Sequence, residues 1–553
     1  MLAFRRRADE WKPGVRLALG LLSLSLSIAP AAGAPKGTAG DPERGELLYR
    51  SYCAVCHGAG GQGDGPNASF LDDDQPRDLA DPRYMGGRRD EQLFRVIAEG
   101  GQAIQGSRFM PPWGRTLTPS QIWDLVAYVR TLSGGASESS GRGAESRAGS
   151  VLAAELGCPA CHRLGNMDPV PVGPDLGAEG SRVQRAWLVD FLRAPRAIRP
   201  AGYRPLWRSR MPDFRLSEEE AATLAEYLMS RREREEKWPD SPPPRVLVER
   251  GRDLFRRYAC RACHSREGAG GRAGPDLSTV VGRLKPAWAL RFLENPQAVD
   301  PLSPMPHLGV GEDDARAITS YLFNGRPPPP ESAPDPGTAS RGEALFRSLG
   351  CGGCHDDARH EPVGPDLTGT GDKLKAEWLS QFLRRPDRVR PWLTARMPDF
   401  RLSDDEARIL LAFLVGLRDP TAAGLPERLQ FRGVPPEANV HAGRRLASRE
   451  FLSCSSCHLG EEQPEGAPEE WAPDLRISGQ RLQPDWIVRW LQDPQRLAPG
   501  TKMPTYFSDA ASGPEDILDG DEERQILALR DYILSLGATG SAPERAPLAP
   551  ARH

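Results

Sequence analysis

The chain has 553 residues, a formal net charge of −3 and a mean hydropathy of −0.51, and 39% of its residues are hydrophobic. It is too long for one compact core, so we expect several domains. The nearly balanced charge gives no reason to expect nucleic acid as a partner. Because small domains with so little apolar content rarely complete their own cores, we expect disulfides, metals or large cofactors to help.

The N-terminus has the features of a secretory signal peptide, which we predict over residues 1–34. Basic residues at 5–7 precede a short apolar run at 17–28, and Ala32-Gly33-Ala34 fits a small-residue cleavage site. The run is too short to span a bilayer comfortably, and an uncleaved anchor is the alternative. No later segment is long and apolar enough to cross a membrane. The mature chain is therefore expected to be periplasmic or otherwise exported, without a membrane span.

All ten cysteines fall into five pairs, and a histidine directly follows each pair. This C-x-x-C-H pattern is that of haem c attachment: two thiols on one turn reach two vinyl groups of a porphyrin, and the imidazole points at the iron. Disulfides, a thioredoxin-like pair or a zinc site would not require that histidine. We therefore predict five covalently bound haem c groups. The motifs are Cys53-Cys56-His57, Cys158-Cys161-His162, Cys260-Cys263-His264, Cys351-Cys354-His355 and Cys454-Cys457-His458.

A methionine followed by proline comes after each motif, at 53, 49, 41, 42 and 45 residues from the histidine. A thioether is a suitable sixth ligand for haem iron, and proline stiffens the backbone that presents it. A lone methionine would more simply be a core filler, but five in register with five motifs favour ligation. The predicted ligands are Met110, Met211, Met305, Met397 and Met503. Near Met305, His307 could compete for the iron, whereas His360 and His441 are expected to be surface or structural residues.

Between the two predicted ligands, four units carry Gly-Pro-Asp-Leu or Ala-Pro-Asp-Leu, and the first has Gly65-Pro66 instead. An iron-binding histidine needs its second ring nitrogen satisfied, commonly by a backbone carbonyl. We expect the proline carbonyls to accept this hydrogen bond, and a simple turn is the alternative. The prolines are Pro174, Pro275, Pro365 and Pro473.

The remaining recurrent elements read as helices. A W-L-x-x-F-L-x-x-P segment places its apolar residues on one helical face in four units, and the aromatic residues are expected to wall the haem pocket. Each unit also opens and closes with a helix, and Gly45, Gly251 and Gly342 would let the closing helix approach closely. Ser217 and Ser403 are predicted N-caps. Strand-like alternation is sparse, so each unit is expected to be all-α.

These repeats, and the proline- and glycine-rich linkers between them, define five units, at 41–133, 148–230, 245–325, 338–418 and 437–537, with a disordered tail at 538–553. By their C-x-x-C-H and Met-Pro motifs the units resemble class I cytochrome c domains. The resemblance implies an all-α tandem array of five small cytochrome c-like helical domains, each wrapped around a covalent haem. It also implies one-electron transfer at an exposed haem edge.

Five irons with similar ligand pairs are better suited to relaying electrons than to making bonds, because catalysis at haem iron generally needs an open position. We therefore expect an electron carrier rather than an enzyme, with redox proteins as donors and acceptors. The alternatives are a peroxidase-like enzyme with one open haem, a membrane-anchored subunit of a dehydrogenase or quinol-oxidising complex, and a haem-based sensor. The sequence does not indicate an oligomeric state.

Overall fold

The protein is seen in a computed structural model that describes residues 40–71, 75–133, 144–164, 167, 172–198, 210–233, 238–326, 329–355, 363–390, 392–419, 424–507 and 514–537. The predicted signal peptide, the predicted tail and His360 lie outside these residues. Within them the chain is helical, apart from one two-stranded antiparallel ribbon of β1 (Ser265–Arg266) and β2 (Ala269–Gly270). No helix of the described residues is both long and apolar enough to span a membrane. The predicted all-α class is confirmed.

Short helices make up most of the five units. Unit one has α1 (Pro42–Tyr52), α2 (Ala54–His57), α3 (Pro82–Gly86), α4 (Asp90–Glu99) and α5 (Pro119–Leu132). The segment from 144 to 230 has α6 (Ala144–Glu155), α7 (Glu179–Arg182), α8 (Arg185–Arg193) and α9 (Glu218–Ser230). Unit three has α10 (Arg245–Arg257), α11 (Val280–Arg283), α12 (Pro286–Glu294), α13 (Pro296–Val299) and α14 (Glu312–Leu322).

Units four and five likewise begin and end with a longer helix and have shorter helices between. Unit four has α15 (Pro336–Ser348), α16 (Gly352–His355), α17 (Thr370–Lys373), α18 (Ala376–Arg384) and α19 (Asp404–Gly416). Unit five has α20 (Glu437–Ala447), α21 (Ser478–Arg481), α22 (Pro484–Gln492), α23 (Pro494–Leu497) and α24 (Glu522–Ser535). Single 3-10 turns lie at Ala68–Phe70, Gly101–Ile104, Cys158–Ala160, Cys260–Ala262, Leu277–Thr279, Glu427–Leu429, Cys454–Ser456, Pro468–Glu470, Leu475–Ile477 and Leu518–Gly520.

The closing helices α9 and α19 begin at the two predicted serine caps. The hydroxyl of Ser217 accepts from the amide of Glu220, and the Glu220 carboxylate accepts from the Ser217 amide. Ser403 and Glu406 form the same reciprocal pair. Each capping box satisfies two of the amides that the first turn of a helix leaves unpaired.

In units one, three and five the first helix packs against the last helix of the same unit, which pairs α1 with α5, α10 with α14 and α20 with α24. A glycine lies at each crossing. A Cβ on Gly45 would overlap the carbonyl of Asp124, and one on Gly251 would overlap the carbonyl of Ala317. The predicted role of these glycines in close helix contact is therefore confirmed.

Units two and four differ, because they exchange their first helices. Helix α6 of unit two packs against α19 of unit four, and α15 of unit four packs against α9 of unit two. The third predicted glycine, Gly342, lies against the carbonyl of Thr223 in α9, and Gly149 in α6 lies against Ile409 in α19. The sequence predicts that units two and four each fold as a separate domain. In the structure they form two domains that each contain segments of both units.

Two kinds of junction connect the units. Asn67 of unit one donates to the Ala262 carbonyl of unit three at 2.8 Å, and its own carbonyl oxygen accepts from the amides of Arg272 (2.7 Å) and Ala273 (3.1 Å). Asn67 is 1% exposed, so these hydrogen bonds between units one and three are shielded from solvent. It brings the first and third C-x-x-C-H turns next to each other.

The second kind of junction is an isolated antiparallel bridge beside the tryptophan-bearing helices. One bridge joins Val183 to Leu284, and its counterpart joins Leu374 to Leu482. Together with the exchanged helices, these contacts make the C-x-x-C-H turns neighbours in the order first, third, fourth, second and fifth.

Candidate haem sites

Each predicted attachment motif forms one helical turn. The histidine amide donates to the carbonyl of the first cysteine, four residues earlier, so both thiols and the imidazole lie on one side of the turn. The nitrogen-to-oxygen distances are 2.9 Å for His57 and Cys53, 3.0 Å for His162 and Cys158, 3.0 Å for His264 and Cys260, 3.3 Å for His355 and Cys351, and 2.9 Å for His458 and Cys454.

The motif thiols lie in apolar surroundings. None of the ten cysteines, all of them described, forms a disulfide. Burial raises the pKa of Cys53, Cys158, Cys260 and Cys351 to about 12. The neutral thiol is therefore the favoured form in these apolar pockets.

In units three and five the second ring nitrogen of the motif histidine is satisfied within the unit. Nδ1 of His264 lies 2.8 Å from the carbonyl oxygen of Pro275, and Nδ1 of His458 lies 2.8 Å from that of Pro473. Because a carbonyl can only accept, Nδ1 donates, and Nε2 keeps the lone pair that binds a metal.

In units two and four the same bond crosses between units. Nδ1 of His162 donates to Pro365 of unit four at 3.0 Å, and Nδ1 of His355 donates to Pro174 of unit two at 2.9 Å. The predicted proline carbonyls thus serve all four histidines, but two of them serve the other unit.

Unit one uses a different acceptor. Nδ1 of His57 lies 3.1 Å from the carbonyl oxygen of Arg77, a residue that the sequence did not indicate. Gly65 instead donates its amide to the carbonyl of Cys56.

Burial favours the neutral form of four of the five motif imidazoles. It lowers the pKa of His57, His162, His355 and His458, against the opposing effect of the carbonyl hydrogen bond. A neutral imidazole with Nδ1 protonated is the form that coordinates a metal through Nε2.

One continuous cavity of about 1320 Å³ holds two of the ligand pairs predicted from sequence order, and its third part holds His355 with Met211 in place of the predicted Met397. His57 and Met110 line one part, His264 and Met305 another, and His355 lines a third part. The methionine of that third part is Met211, from unit two.

The fourth and fifth methionines lie in apolar surroundings at the other end of the array. Met397 and Met503 pack against one large buried cluster, which Cys158 and Cys454 also contact. The indole Nε1 of Trp490 donates to Sδ of Met503 at 2.8 Å.

Of the other histidines, the amide of His307 donates to Oγ1 of Thr116 in unit one at 3.0 Å, which fixes the Met305 loop at the junction of units one and three. His441 is exposed, as expected of a surface residue.

Stacked aromatic pairs stand on the four W-L-x-x-F-L-x-x-P helices. The ring centroids lie 4.7 to 5.0 Å apart, with interplanar angles of 16° to 20°. The two pairs of α8 and α12 line the continuous cavity, as expected for pocket walls. The pairs are Trp187 with Phe191, Trp288 with Phe292, Trp378 with Phe382, and Trp486 with Trp490. Paired thiols, an imidazole whose Nδ1 is protonated, nearby thioethers and aromatic walls together fit a haem c.

The two Met-Pro loops of units two and four bind each other. Asp213 and Asp399 form an antiparallel bridge between the loops, with amide-to-carbonyl distances of 2.8 and 2.7 Å. Arg210 donates to both carboxylate oxygens of Glu406 at 3.1 and 2.7 Å, and Arg396 donates to Glu220 at 2.7 Å. Recurrence of the motif had predicted two ligand loops but not their contact.

Cationic side chains lie half-buried between the tryptophan-bearing helices of units four and five. Lys373 lies over the ring of Trp486 at 4.7 Å, and Arg481 lies over Trp378 at 5.2 Å. Burial and the nearby Arg481 and Arg390 lower the pKa of Lys373 to about 8. An anionic group at this junction would relieve the desolvation of both cations.

Comparison with known proteins identifies the repeated domains. The family model described as "Cytochrome C oxidase, cbb3-type, subunit III" matches residues 40–129. The cytochrome c family model matches residues 146–232, 248–325 and 339–418. Together these matches cover more than half of the chain.

Curated relatives are similar over parts of the chain. The Cbb3-type cytochrome c oxidase subunit FixP of Azorhizobium caulinodans is 29% identical over 134 residues, which is 23% of this chain and 42% of that protein. Subunit CcoP of Azospirillum sp. is 28% identical over 181 residues, 31% of this chain and 56% of that protein. The chain thus spans about half the length of these relatives, and no solved structure gave a significant match. The chain belongs to the c-type cytochromes and is built from tandem cytochrome c domains.

Proposed function

We propose that this protein is an exported pentahaem cytochrome that passes single electrons between redox proteins. The observation that supports the proposal best is the repetition of one local arrangement five times: a C-x-x-C-H turn whose histidine gives its Nδ1 proton to a backbone carbonyl. A haem c bound there supplies an iron that alternates between Fe(III) and Fe(II).

Each kind of residue has a distinct task. The cysteines hold the porphyrin covalently, and the carbonyl bond orients each imidazole and raises its basicity. The thioether of a Met-Pro loop would be the second protein ligand of the bound iron, and a site with both ligands in place would have no position for a substrate. We propose as haem-attaching residues Cys53, Cys56, Cys158, Cys161, Cys260, Cys263, Cys351, Cys354, Cys454 and Cys457, and as iron ligands His57, Met110, His162, Met211, His264, Met305, His355, Met397, His458 and Met503.

The surroundings favour a carrier over an enzyme. Aromatic rings wall the cavity, so water is kept from most of the porphyrin surface, and both burial and thioether ligation raise the reduction potential. The first, third and fourth sites open into one cavity, which brings these neighbouring sites close together. The half-buried Lys373 and Arg481 are positioned to neutralise propionates at the junction of units four and five.

Spectroscopy of the mature holoprotein tests the proposal. Pyridine haemochrome should give five haems per chain, and the far-red methionine–Fe(III) charge-transfer band should have an intensity that matches five thioether-ligated irons. Carbon monoxide should bind no haem in the untreated protein. A stoichiometric fraction that is high-spin and binds carbon monoxide would instead support a peroxidase-like enzyme.

A second candidate is an electron-transfer subunit of a membrane oxidase, retained by an uncleaved N-terminus. The names of the relatives and the match of residues 40–129 to an oxidase subunit model favour it. N-terminal sequencing of the mature protein separates the two. A chain that begins after Ala34 and is released from membranes supports the free carrier, and one that begins at Met1 and copurifies with an oxidase supports the subunit.

A further inference from the structure

The exchange between units two and four extends from the helices to the motif histidines. The amide of Gly364 donates to the carbonyl of Cys161 at 2.8 Å, and the amide of Gly173 donates to that of Cys354 at 2.9 Å. A Cβ on Gly364 would lie 2.5 Å from the His162 ring, and one on Gly173 would lie 2.6 Å from the ring of His355. Each motif turn is thus seated on the proline loop of the other unit.

The apolar helices that surround the second and fourth motif turns also come from the other unit. The fourth motif stands on α15, which packs on α9, and Cys351 belongs with Leu188 and Leu192 of α8 to one apolar cluster. The second motif follows α6, which packs on α19, and Cys158 belongs with Leu379 of α18 to another cluster.

Met211 and Met397 lie with the apolar helices of their own sequence unit, and therefore with the motif turn of the other unit. Met211 packs on the cluster that holds Cys351 and lines the same cavity as His355 and Pro174. Met397 packs on the large cluster that holds Cys158 and also Cys454, and Met503 of unit five belongs to the same cluster. The loops carrying them are joined to each other, since Arg401 donates to the Met211 carbonyl at 3.4 Å and Arg215 donates to the Met397 carbonyl at 3.2 Å.

We propose that the second and fourth haem sites are each completed by the other sequence unit: Met397 is the distal ligand opposite His162, and Met211 is the distal ligand opposite His355. The inference rests on the haem sites of the proposed function and adds which methionine serves which iron. It makes units two and four an obligate pair, because neither sequence unit contains both ligands of one iron.

Removal of one haem tests the assignment. In the complete chain, Met397→Ala and Met211→Ala should each remove about one fifth of the far-red charge-transfer band, one thioether ligand of five. Cys158→Ala/Cys161→Ala removes the haem of the second motif. In that background Met397→Ala should remove no further band intensity, whereas Met211→Ala should remove about one quarter of what remains, as for independent sites in a double-mutant cycle.

Unit three supplies the matched control, because both its ligands lie in one unit. In a Cys260→Ala/Cys263→Ala background, Met305→Ala should have no further effect and Met397→Ala should still remove a full share. Intact mass and far-ultraviolet circular dichroism check the haem number and the fold of every variant.

One pattern of results would overturn the exchange alone, and it differs from the results that would refute the haem proposal. The assignment is wrong if, without the second haem, Met397→Ala still removes a full share and Met211→Ala removes none. A chain with fewer than five haems, or a Met397→Ala chain with an unchanged band, refutes the ligand sites themselves and the exchange with them.

If the Cys158→Ala/Cys161→Ala chain does not accumulate, a ligand-swap experiment in the chain with all five haems tests the same assignment. His162→Met with Met397→His restores one imidazole and one thioether to the same iron, so the band should return to full intensity. His162→Met with Met211→His leaves one iron with two thioethers and another with two imidazoles, and should not restore it. The reverse pattern would overturn the assignment.

Discussion

Replacement of Arg396 by alanine should weaken the contact between the two Met-Pro loops. Its Nε donates to the carbonyl of Phe214 and its Nη2 donates to Glu220, both at 2.7 Å, and only 2% of the side chain is exposed. Each charge-assisted hydrogen bond is worth about 1.5–3 kcal/mol net. Because 27% of the Glu220 side chain is exposed and can be rehydrated, we expect a total loss of about 3 kcal/mol.

Hydrogen–deuterium exchange of the holoprotein measures this loss locally. At about 1.4 kcal/mol per tenfold, protection of the loop amides at 211–216 and 397–402 should fall by about 100-fold. Arg384→Ala is the matched control, since its ion pair with Asp404 is on the surface and is worth about 0–1 kcal/mol. If Arg396→Ala lowers protection no more than Arg384→Ala does, the two loops are not joined as described.

Three further changes have defined outcomes. Gly364→Ala should displace the His162 imidazole, because a Cβ there would lie 2.5 Å from its ring. One haem should then become high-spin and bind carbon monoxide. An unchanged spectrum would contradict the contact between Gly364 and the second motif turn. Trp490→Phe should lower the potential of one haem, because the indole hydrogen bond at 2.8 Å withdraws electron density from the Met503 sulfur; a potentiometric titration identical to that of the parent would argue against this contact. Burial opposes ionisation of Glu220, but the Arg396 hydrogen bond and the helix cap outweigh it and hold its pKa below the ordinary 4.5. Its stabilising contribution is therefore complete above pH 4.5 and is lost as the pH falls through the lower folded value, so Glu220→Gln should flatten the acid dependence of loop protection in that range; equal slopes in the two proteins would refute this.

Much of each site could be predicted because its parts are local or recur. The Cys53-to-His57 turn is fixed by adjacent residues, and the Pro275 carbonyl lies only 11 residues from His264. The serine caps of α9 and α19 follow from a four-residue pattern. The Met-Pro loops were found because five occur in register with five motifs.

The exchange of helices could not be predicted, because the two units present almost the same surfaces. The segments SRMPDFRLSEEEA and ARMPDFRLSDDEA, the Gly-Pro-Asp-Leu loops and the glycines of the first helices occur in both, so either unit can satisfy either motif turn. Local contacts then hardly distinguish the two pairings, and the choice depends on the linkers and on long-range contacts such as Arg210 with Glu406.

The unit-one acceptor and the junctions escaped prediction for a related reason. The Arg77 carbonyl is a backbone group in a loop, and no side-chain pattern marks it. Asn67 bonds residues 195 to 206 positions away, and a lone asparagine in a loop carries no sign of such contacts.

Mass spectrometry of the mature protein from a host that assembles c-type cytochromes tests the central claim most directly. The intact mass should exceed that of the mature polypeptide by five haem groups, and peptide mapping should find one porphyrin on each C-x-x-C-H turn. A mature, folded chain with any of the five thiol pairs unmodified would contradict the claim.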